Sequence, residues 1–316
     1  MPERIVSRSN PLVKRLRALA ASADFRREQG QFLCDSPKLV EEAVRAGAGV
    51  STVVCTDPGL LPNLRSGVEI VTVSEDVMAA VSPAKTPQGV LCVCALPDTA
   101  LPSRLEGNRY VVLDGVQDPG NVGTVLRTAD AFGADGVILL PGCADPFSPK
   151  TVRASMGAVF RCPVWQCDAG ELKEKLIRSG IPLYGAALRE DTVDARAVDY
   201  RRAAIAIGSE GRGLTAEVLA LCDATVRIPM EPQCESLNAA IAAAVLLWEA
   251  YRQIGKGGAC LGCIEILGLA DVGAGIEQPE PAAAAGAFFL AGGRILRRRG
   301  GGHARRVEPG AGYPPG

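Results

Sequence analysis

Two rhythms of apolar and polar positions interleave along the first 254 residues. Short runs rich in Val, Ile and Leu mark strands, and apolar residues recurring every three or four positions mark helices. Phe32-Leu33-Cys34 predicts a strand leading into a helix over Lys38–Val44, with Ser36-Pro37 as its start and Gly47 as its stop. Further strands are expected over Ser51–Cys55, Val68–Val73 and Gly89–Ala95. Residues 97–108 hold Pro97, Pro102 and Gly107 with few apolar side chains and read as a linker.

A second α/β pattern starts at Tyr110–Asp114. Its other strands are expected over Gly136–Leu140, Val159–Trp165, Pro182–Ala187, Ala203–Ile207 and Thr225–Ile228, with helical stretches between them. That alternation predicts a mostly parallel sheet with helices on both faces. One helix follows the Pro119-Gly120 turn, with Asn121 as its N-cap. Val122, Val125, Leu126, Ala129 and Phe132 then recur at helical spacing before Gly133. The last helix, Leu237 to Gln253, is apolar nearly all round, which predicts burial on several sides. Residues 255–316 are dominated by Gly, Ala, Pro and Arg, including Arg297–Arg299, and are expected to form a disordered tail.

Composition narrows the class. A chain of 316 residues can bury two cores of ordinary size, and 47% hydrophobic with 22% charged residues is a globular balance. No apolar run has the length of a membrane helix, and Met1-Pro2-Glu3-Arg4 lacks a signal peptide's apolar segment, so a cytoplasmic location is expected. The eleven cysteines lie largely in strand-like segments and read as small buried hydrophobes of a reducing compartment. Cys260 and Cys263 form a metal-type pair, but no second pair exists and the one histidine, His303, is distant, so no metal is expected. The net charge of −1 conceals a basic start: residues 1–30 carry seven Lys and Arg against three acidic residues. Taken alone, that segment suits a solvated helix face as well as RNA contact.

Three blocks carry chemistry. The first is Asp118-Pro119-Gly120-Asn121, with Arg127 and Gly133 at fixed offsets. The second is Gly208-Ser209-Glu210-Gly211-Arg212-Gly213-Leu214 after an apolar strand. The third is Ile228-Pro229-Met230 followed by Glu235-Ser236-Leu237-Asn238. The second block spells G-S-E-G-R-G and not G-x-G-x-x-G, and its strand comes late in the domain, which argues against a dinucleotide fold. In order and spacing the three blocks resemble the SpoU (TrmH-type) branch of the SPOUT RNA methyltransferases.

The resemblance implies a SPOUT-type, mostly parallel sheet with a C-terminal trefoil knot over residues 109–254, a small N-terminal α/β substrate-binding domain over 1–96, and a homodimer through the knot region. It implies ribose 2′-O-methylation of RNA with S-adenosylmethionine. Gly208, Ile228, Met230 and Leu237 would surround the cofactor, and Asn121, Arg127, Ser236 and Asn238 would serve catalysis. Lys150 and Arg153, within a segment running from Ser148 to Ala158, would meet RNA, as would Arg8, Lys14 and Arg15. The start of the chain, Ser7-Arg8-Ser9-Asn10-Pro11 through Leu33, is most similar to members acting on large-subunit rRNA. A tRNA 2′-O-methyltransferase is the alternative substrate reading. A non-catalytic RNA-binding or assembly factor is the alternative from another class, and the joint presence of Asn121, Arg127, Ser236 and Asn238 argues against it. The family assigns Arg127 as the base for the 2′-OH. A guanidinium hardly ever loses a proton, so its chemistry favours holding a phosphate and stabilising the alkoxide.

Overall fold

The structure is a computed structural model describing residues 4–64, 66–189, 191–231, 233–234 and 236–254. The expected tail, with Cys260, Cys263 and Arg297–Arg299, lies outside the described residues.

Helices α1 (Pro11–Ala21) and α2 (Ala23–Gln29) open the chain. Pro11 follows the cap Asn10, whose side chain accepts from Leu12 N at 2.9 Å, so the first helix starts where local chemistry demands. Then come β1 (Gln31–Asp35), α3 (Pro37–Arg45), β2 (Val50–Cys55), β3 (Glu69–Thr72), α4 (Glu75–Val81) and β4 (Val90–Ala95). The four strands form a sheet in the order β1-β4-β2-β3, antiparallel except for the β2–β3 pair. Alternation along the strands sends Leu33, Val54, Leu91 and Val93 to one face. There Val13, Leu16 and Leu19 of α1 and Met78 of α4 cover them. The opposite face carries Phe32, Cys34, Val53, Cys55, Cys92 and Cys94 under Leu39, Val40 and Ala43 of α3. The thiols of Cys34 and Cys94 pack 3.7 Å apart inside this apolar layer.

The second sheet contains β5 (Arg109–Asp114), β6 (Gly136–Leu139), β7 (Val164–Gln166), β8 (Leu183–Ala186), β9 (Val193–Asp194), β10 (Ala203–Gly208) and β11 (Ala224–Arg227). Its order is β7-β6-β5-β10-β8-β11-β9, and every pairing is parallel. The connecting helices are α5 (Pro119–Ala131), α6 (Pro149–Ser155), α7 (Ala169–Ser179), α8 (Ala216–Leu221) and α9 (Ala239–Ile254). Val111 and Leu113 of β5 face the layer holding α5 and α9, whereas Tyr110 and Val112 face the layer holding α7 and α8. Helices α5 and α6 approach closely at Gly123, where a Cβ would stand 2.5 Å from Ala154 Cβ.

Three expectations are corrected. The first is the strand count of the second sheet, which has a seventh strand, the two-residue β9, too short to show as an apolar run. The strand placed over Val159–Trp165 shrinks to β7, because Ala158–Phe160 forms a 3-10 turn and Pro163, lacking an N–H, can only precede the ladder. The N-cap of α5 is Asp118, not Asn121: its carboxylate accepts from Gly120 N and Asn121 N, with Pro119 at the first helical position. The connecting residues 97–108 lie against the second sheet, with Leu101 and Leu105 buried and Leu105 N donating to Ser179 Oγ at 2.9 Å. Helix α9 buries Ala240, Ala243, Leu246, Leu247 and Ala250 on one side and leaves Ile241 53% and Trp248 47% exposed on another.

The two sheets lie within one compact unit. Phe32 of β1 meets Phe147 with ring centroids 5.1 Å apart. Arg26, only 4% exposed, donates from Nε to Asp145 at 2.9 Å and from Nη1 to Leu19 O at 2.7 Å. Arg161 bridges Glu42 and Asp130, and Arg153 pairs with Asp35 at 2.9 Å. Phe32–Phe147, Arg26–Asp145, Arg161–Glu42 and Arg153–Asp35 each join the first sheet's layer to the second.

Candidate active site

Strand β10 ends in the glycine-rich turn, and the turn closes on itself: Gly213 N donates to Ser209 O at 2.9 Å and Ser209 N to Gly213 O at 3.1 Å. That closure brings the Gly213 backbone against Gly208 Cα, where any Cβ would collide with the Gly213 carbonyl. Glycine is therefore demanded by close approach of backbone to backbone. Gly213 itself stands at φ +66°, in the left-handed region. The turn is anchored below by buried Asp114, whose carboxylate accepts from Thr215 N at 2.6 Å at the start of α8.

A pocket of about 390 Å³ opens beside this turn. Gly208, Ile228, Met230 and Leu237 all line it, so the residues expected around a cofactor converge on one cavity, and Ser236, expected to serve catalysis, lines it too. Its volume is that of a small-molecule site. Residues Ala186, Ala187, Leu188 and Arg189 at the end of β8 form another wall, which the sequence reading did not anticipate. No glycine or polar signature marks that tetrapeptide; it reaches the pocket because β8 lies between β10 and β11.

At the edge of the pocket, Glu210 accepts a hydrogen bond from Asn121 Nδ2. Asn121 Oδ1 in turn accepts from Asn238 Nδ2 at 3.1 Å. Asn238 also caps α9: its Oδ1 accepts from Ala240 N at 2.9 Å and Ile241 N at 3.3 Å. The three motif blocks thus meet through one chain of side-chain hydrogen bonds. Because Asp118 caps α5, Asn121 is released to make this bridge. Met230 and Ser236 lie on the pocket wall away from these bonds.

Arg127 sits six residues along α5 from Asn121, roughly 9 Å up the helix axis, on the exposed surface. It has no hydrogen-bond or ion-pair partner among the described residues. The expected RNA-facing cations differ in state. Arg8 pairs with Asp76, Arg15 bonds Gln31, Lys150 lies 3.3 Å from Asp118, and Arg153 is held by Asp35. Lys14 is exposed on α1. Among the described residues one set of three metal-competent side chains lies together, Cys34, Cys92 and Cys94, in the core of the first sheet and remote from this site.

Seven parallel strands, a glycine turn at the end of a central strand, and a pocket shared with the loop before the last helix define the class: a parallel α/β domain with a small-molecule site at the end of its central strands, joined to a smaller α/β module. Residues 108–248 match the SpoU rRNA methylase family, and residues 10–92 match the MRM3-like substrate binding domain. The chain is 34% identical to the 23S rRNA (guanosine(2553)-2′-O)-methyltransferase RlmP of Bacillus subtilis, over 78% of this chain and 98% of that one. Among solved structures, an AdoMet-bound rRNA methyltransferase from Sinorhizobium meliloti is similar at 33% identity and a TM-score of 0.71, covering 80% of this chain and 98% of that one. The SpoU methyltransferase AviRb from Streptomyces viridochromogenes, in complex with AdoMet, is similar at 29% identity and a TM-score of 0.70, covering 79% and 100%. The chain belongs to the SpoU family of RNA methyltransferases.

Proposed function

We propose that this protein methylates a ribose 2′-OH of large-subunit ribosomal RNA with S-adenosylmethionine as donor. The observation that carries the reading is Glu210, which lines the small-molecule pocket and at the same time holds Asn121 of the helix that bears Arg127. A cofactor pocket and a substrate-side helix therefore share one residue. The 23S rRNA specificity in the name of the Bacillus subtilis relative favours rRNA over tRNA.

The pocket fits the donor. Ile228, Met230, Leu237 and Leu214 offer apolar walls for the adenosine and methionine carbons, and the closed glycine turn offers backbone groups unshielded by side chains. The cofactor supplies an electrophilic methyl group on a sulfonium. Asn121, Asn238 and Ser236 orient the ribose at the pocket edge, and their hydrogen-bonded order lowers the cost of alignment. Arg127 binds the neighbouring phosphate, and its fixed positive charge stabilises the alkoxide as it forms. The proton leaves to phosphate or water, since the guanidinium stays charged.

The fold reading extends further. Helix α9 contacts α5 and β10 although it follows β11 at the far side of the sheet, and this recrossing supports a trefoil knot. The exposed stripe Ile241, Val245 and Trp248, continuous with Phe132 and Tyr251, supports a homodimer with this face at its centre. Residues 1–96 act as the RNA-binding module and 109–254 as the catalytic one. The location is read as cytoplasmic, in keeping with Cys34, Cys55, Cys92, Cys94 and Cys162 serving as small buried hydrophobes.

The test is methylation of unmodified transcripts with radiolabelled cofactor, followed by mapping of 2′-O-methyl positions. Label at a discrete position of large-subunit rRNA is expected. Label confined to tRNA would replace the substrate, and cofactor binding without transfer to any RNA would support the assembly-factor alternative.

A further inference from the structure

A second cavity, of about 1020 Å³, opens between the two sheets' layers and is distinct from the cofactor pocket. Four cationic side chains line it, Lys38 on α3, Lys85 on the loop before β4, and Lys150 and Arg153 on α6, against the single carboxylate of Asp35. Lys38 and Lys85 have no ion-pair partner among the described residues. We propose that this cleft is a preformed track for the phosphodiester backbone of the RNA, flanking the methylated nucleotide. The inference rests on the RNA methyltransferase reading above and assigns that substrate a path.

Three features make the cleft a built site. First, its walls are locked together. The single Asp35 Oδ2, on a residue only 5% exposed, accepts from Ser82 Oγ at 2.7 Å on one wall and from Arg153 Nη2 at 2.9 Å on the other. The pair also neutralises the one acid, and Lys150 is paired with Asp118, so the remaining field of the cleft is set by Lys38 and Lys85. Second, the floor carries strained backbone: Ser36 stands at φ +136° and ψ 152°, a region that side chains rarely adopt and that persists where surrounding structure imposes it. Third, the cleft leads to the chemistry. Pro119 is on its rim, two residues before Asn121, and Lys150 is tied to Asp118, the cap of the same helix.

Positive clefts with low-dielectric walls concentrate polyanions. Lysines on α3 and the 82–88 loop would take phosphates on one side of the target, and Lys150 the phosphate nearest α5. A strand so held crosses the N-terminal end of α5 and delivers a ribose to Asn121. Phosphate contacts set register and carry no sequence information, so the distance from cleft to pocket becomes a ruler for the strand.

The test compares wild type with the Lys38→Ala/Lys85→Ala double variant and a Lys173→Ala control, whose lysine lies on α7 outside both cavities. The probe is an unmodified large-subunit rRNA transcript titrated over a range of salt. The expected result is about a tenfold loss of affinity for the double variant, with the log–log salt slope shallower by roughly 0.7 per lysine. Its KM for RNA should rise while kcat at saturating RNA and cofactor affinity stay as in wild type. An unchanged slope in the double variant, or an equal change in Lys173→Ala, would overturn the cleft. A wild-type protein that binds the transcript but transfers no methyl group would overturn the activity on which the path is argued, whatever the variants do.

Discussion

Asn238 donates from Nδ2 to Asn121 Oδ1 at 3.1 Å, joining residues 117 apart in the chain. Asn121 passes the contact on to Glu210, so the start of α5, the glycine turn and the start of α9 are tied together by two side-chain amides and a carboxylate. Replacing Asn121 by Asp removes the donor and sets a carboxylate against Glu210, while Asn238 keeps an acceptor. Methyl transfer should fall by roughly a hundredfold with the melting temperature nearly unchanged. Single-turnover kinetics check this, and a rate near wild type would remove Asn121 from the active centre.

Arg127 stands exposed on the same helix without a partner among the described residues. Arg127→Ala should cut the transfer rate by about a hundredfold or more and leave cofactor affinity unaltered, because Arg127 is not part of the pocket lining. The pH–rate profile separates the two roles of this residue. An electrostatic role predicts profiles of the same shape in wild type and variant, whereas a true base predicts a titration that the variant loses.

Gly208 tolerates no side chain, since a Cβ there meets the backbone of Gly213 and Leu214. Gly208→Val must spread the turn that forms one pocket wall. Calorimetric titration should show cofactor affinity lost by more than tenfold while RNA binding, assigned to other surfaces, persists. Equal cofactor affinity in the variant would show that the ligand binds elsewhere.

The Arg26–Asp145 pair couples the two layers at a site where Arg26 is 5% and Asp145 21% exposed by side chain. Asp145→Ala leaves a buried guanidinium with backbone acceptors alone. A loss of about 3 kcal/mol is expected from removing one member of such a pair. Denaturant unfolding measures it, and a loss below about 1 kcal/mol, typical of an exposed pair, would show that the pair does not hold the layers together.

Alkaline pH should weaken the fold through its thiols. Burial pushes the Cys162 thiol up to about 12 and the Cys143 thiol to about 11, from an ordinary 9.0. Folding therefore favours the neutral thiol. That contribution is complete below about pH 9 and is lost as pH climbs through 11 to 12, where the folded thiols ionise. The urea midpoint should fall between pH 9 and 11, and Cys162→Ala should make the fall shallower. A slope identical in the variant would assign the alkaline loss to other groups.

Much of this protein is local and was legible in the chain. The strands of both sheets except the two-residue β9, too short to show as an apolar run, follow from apolar runs punctuated by Gly and Pro, and the alternation of strands with helices implies that the second sheet is parallel. The glycine turn and the Ile228–Leu237 loop could be assigned to one pocket because the family resemblance joins blocks that local patterns leave separate. At the start of α5 local chemistry offers two answers: Asp118 and Asn121 both suit an N-cap, and Pro119 at the first helical position decides for Asp118. Tertiary structure alone decided what depends on strand order and long-range pairing. The Ala186–Arg189 wall exists because β8 lies between β10 and β11. Arg153, expected to face RNA freely, is held by Asp35 from 118 residues away, and Arg26 is buried against Asp145. Hydrophobic periodicity specifies which face of an element is buried, but not which partner covers it. Partners are chosen by packing and charge pairing once the elements have met, so the basic cleft and the Asn121–Glu210–Asn238 chain came into view only in the folded molecule.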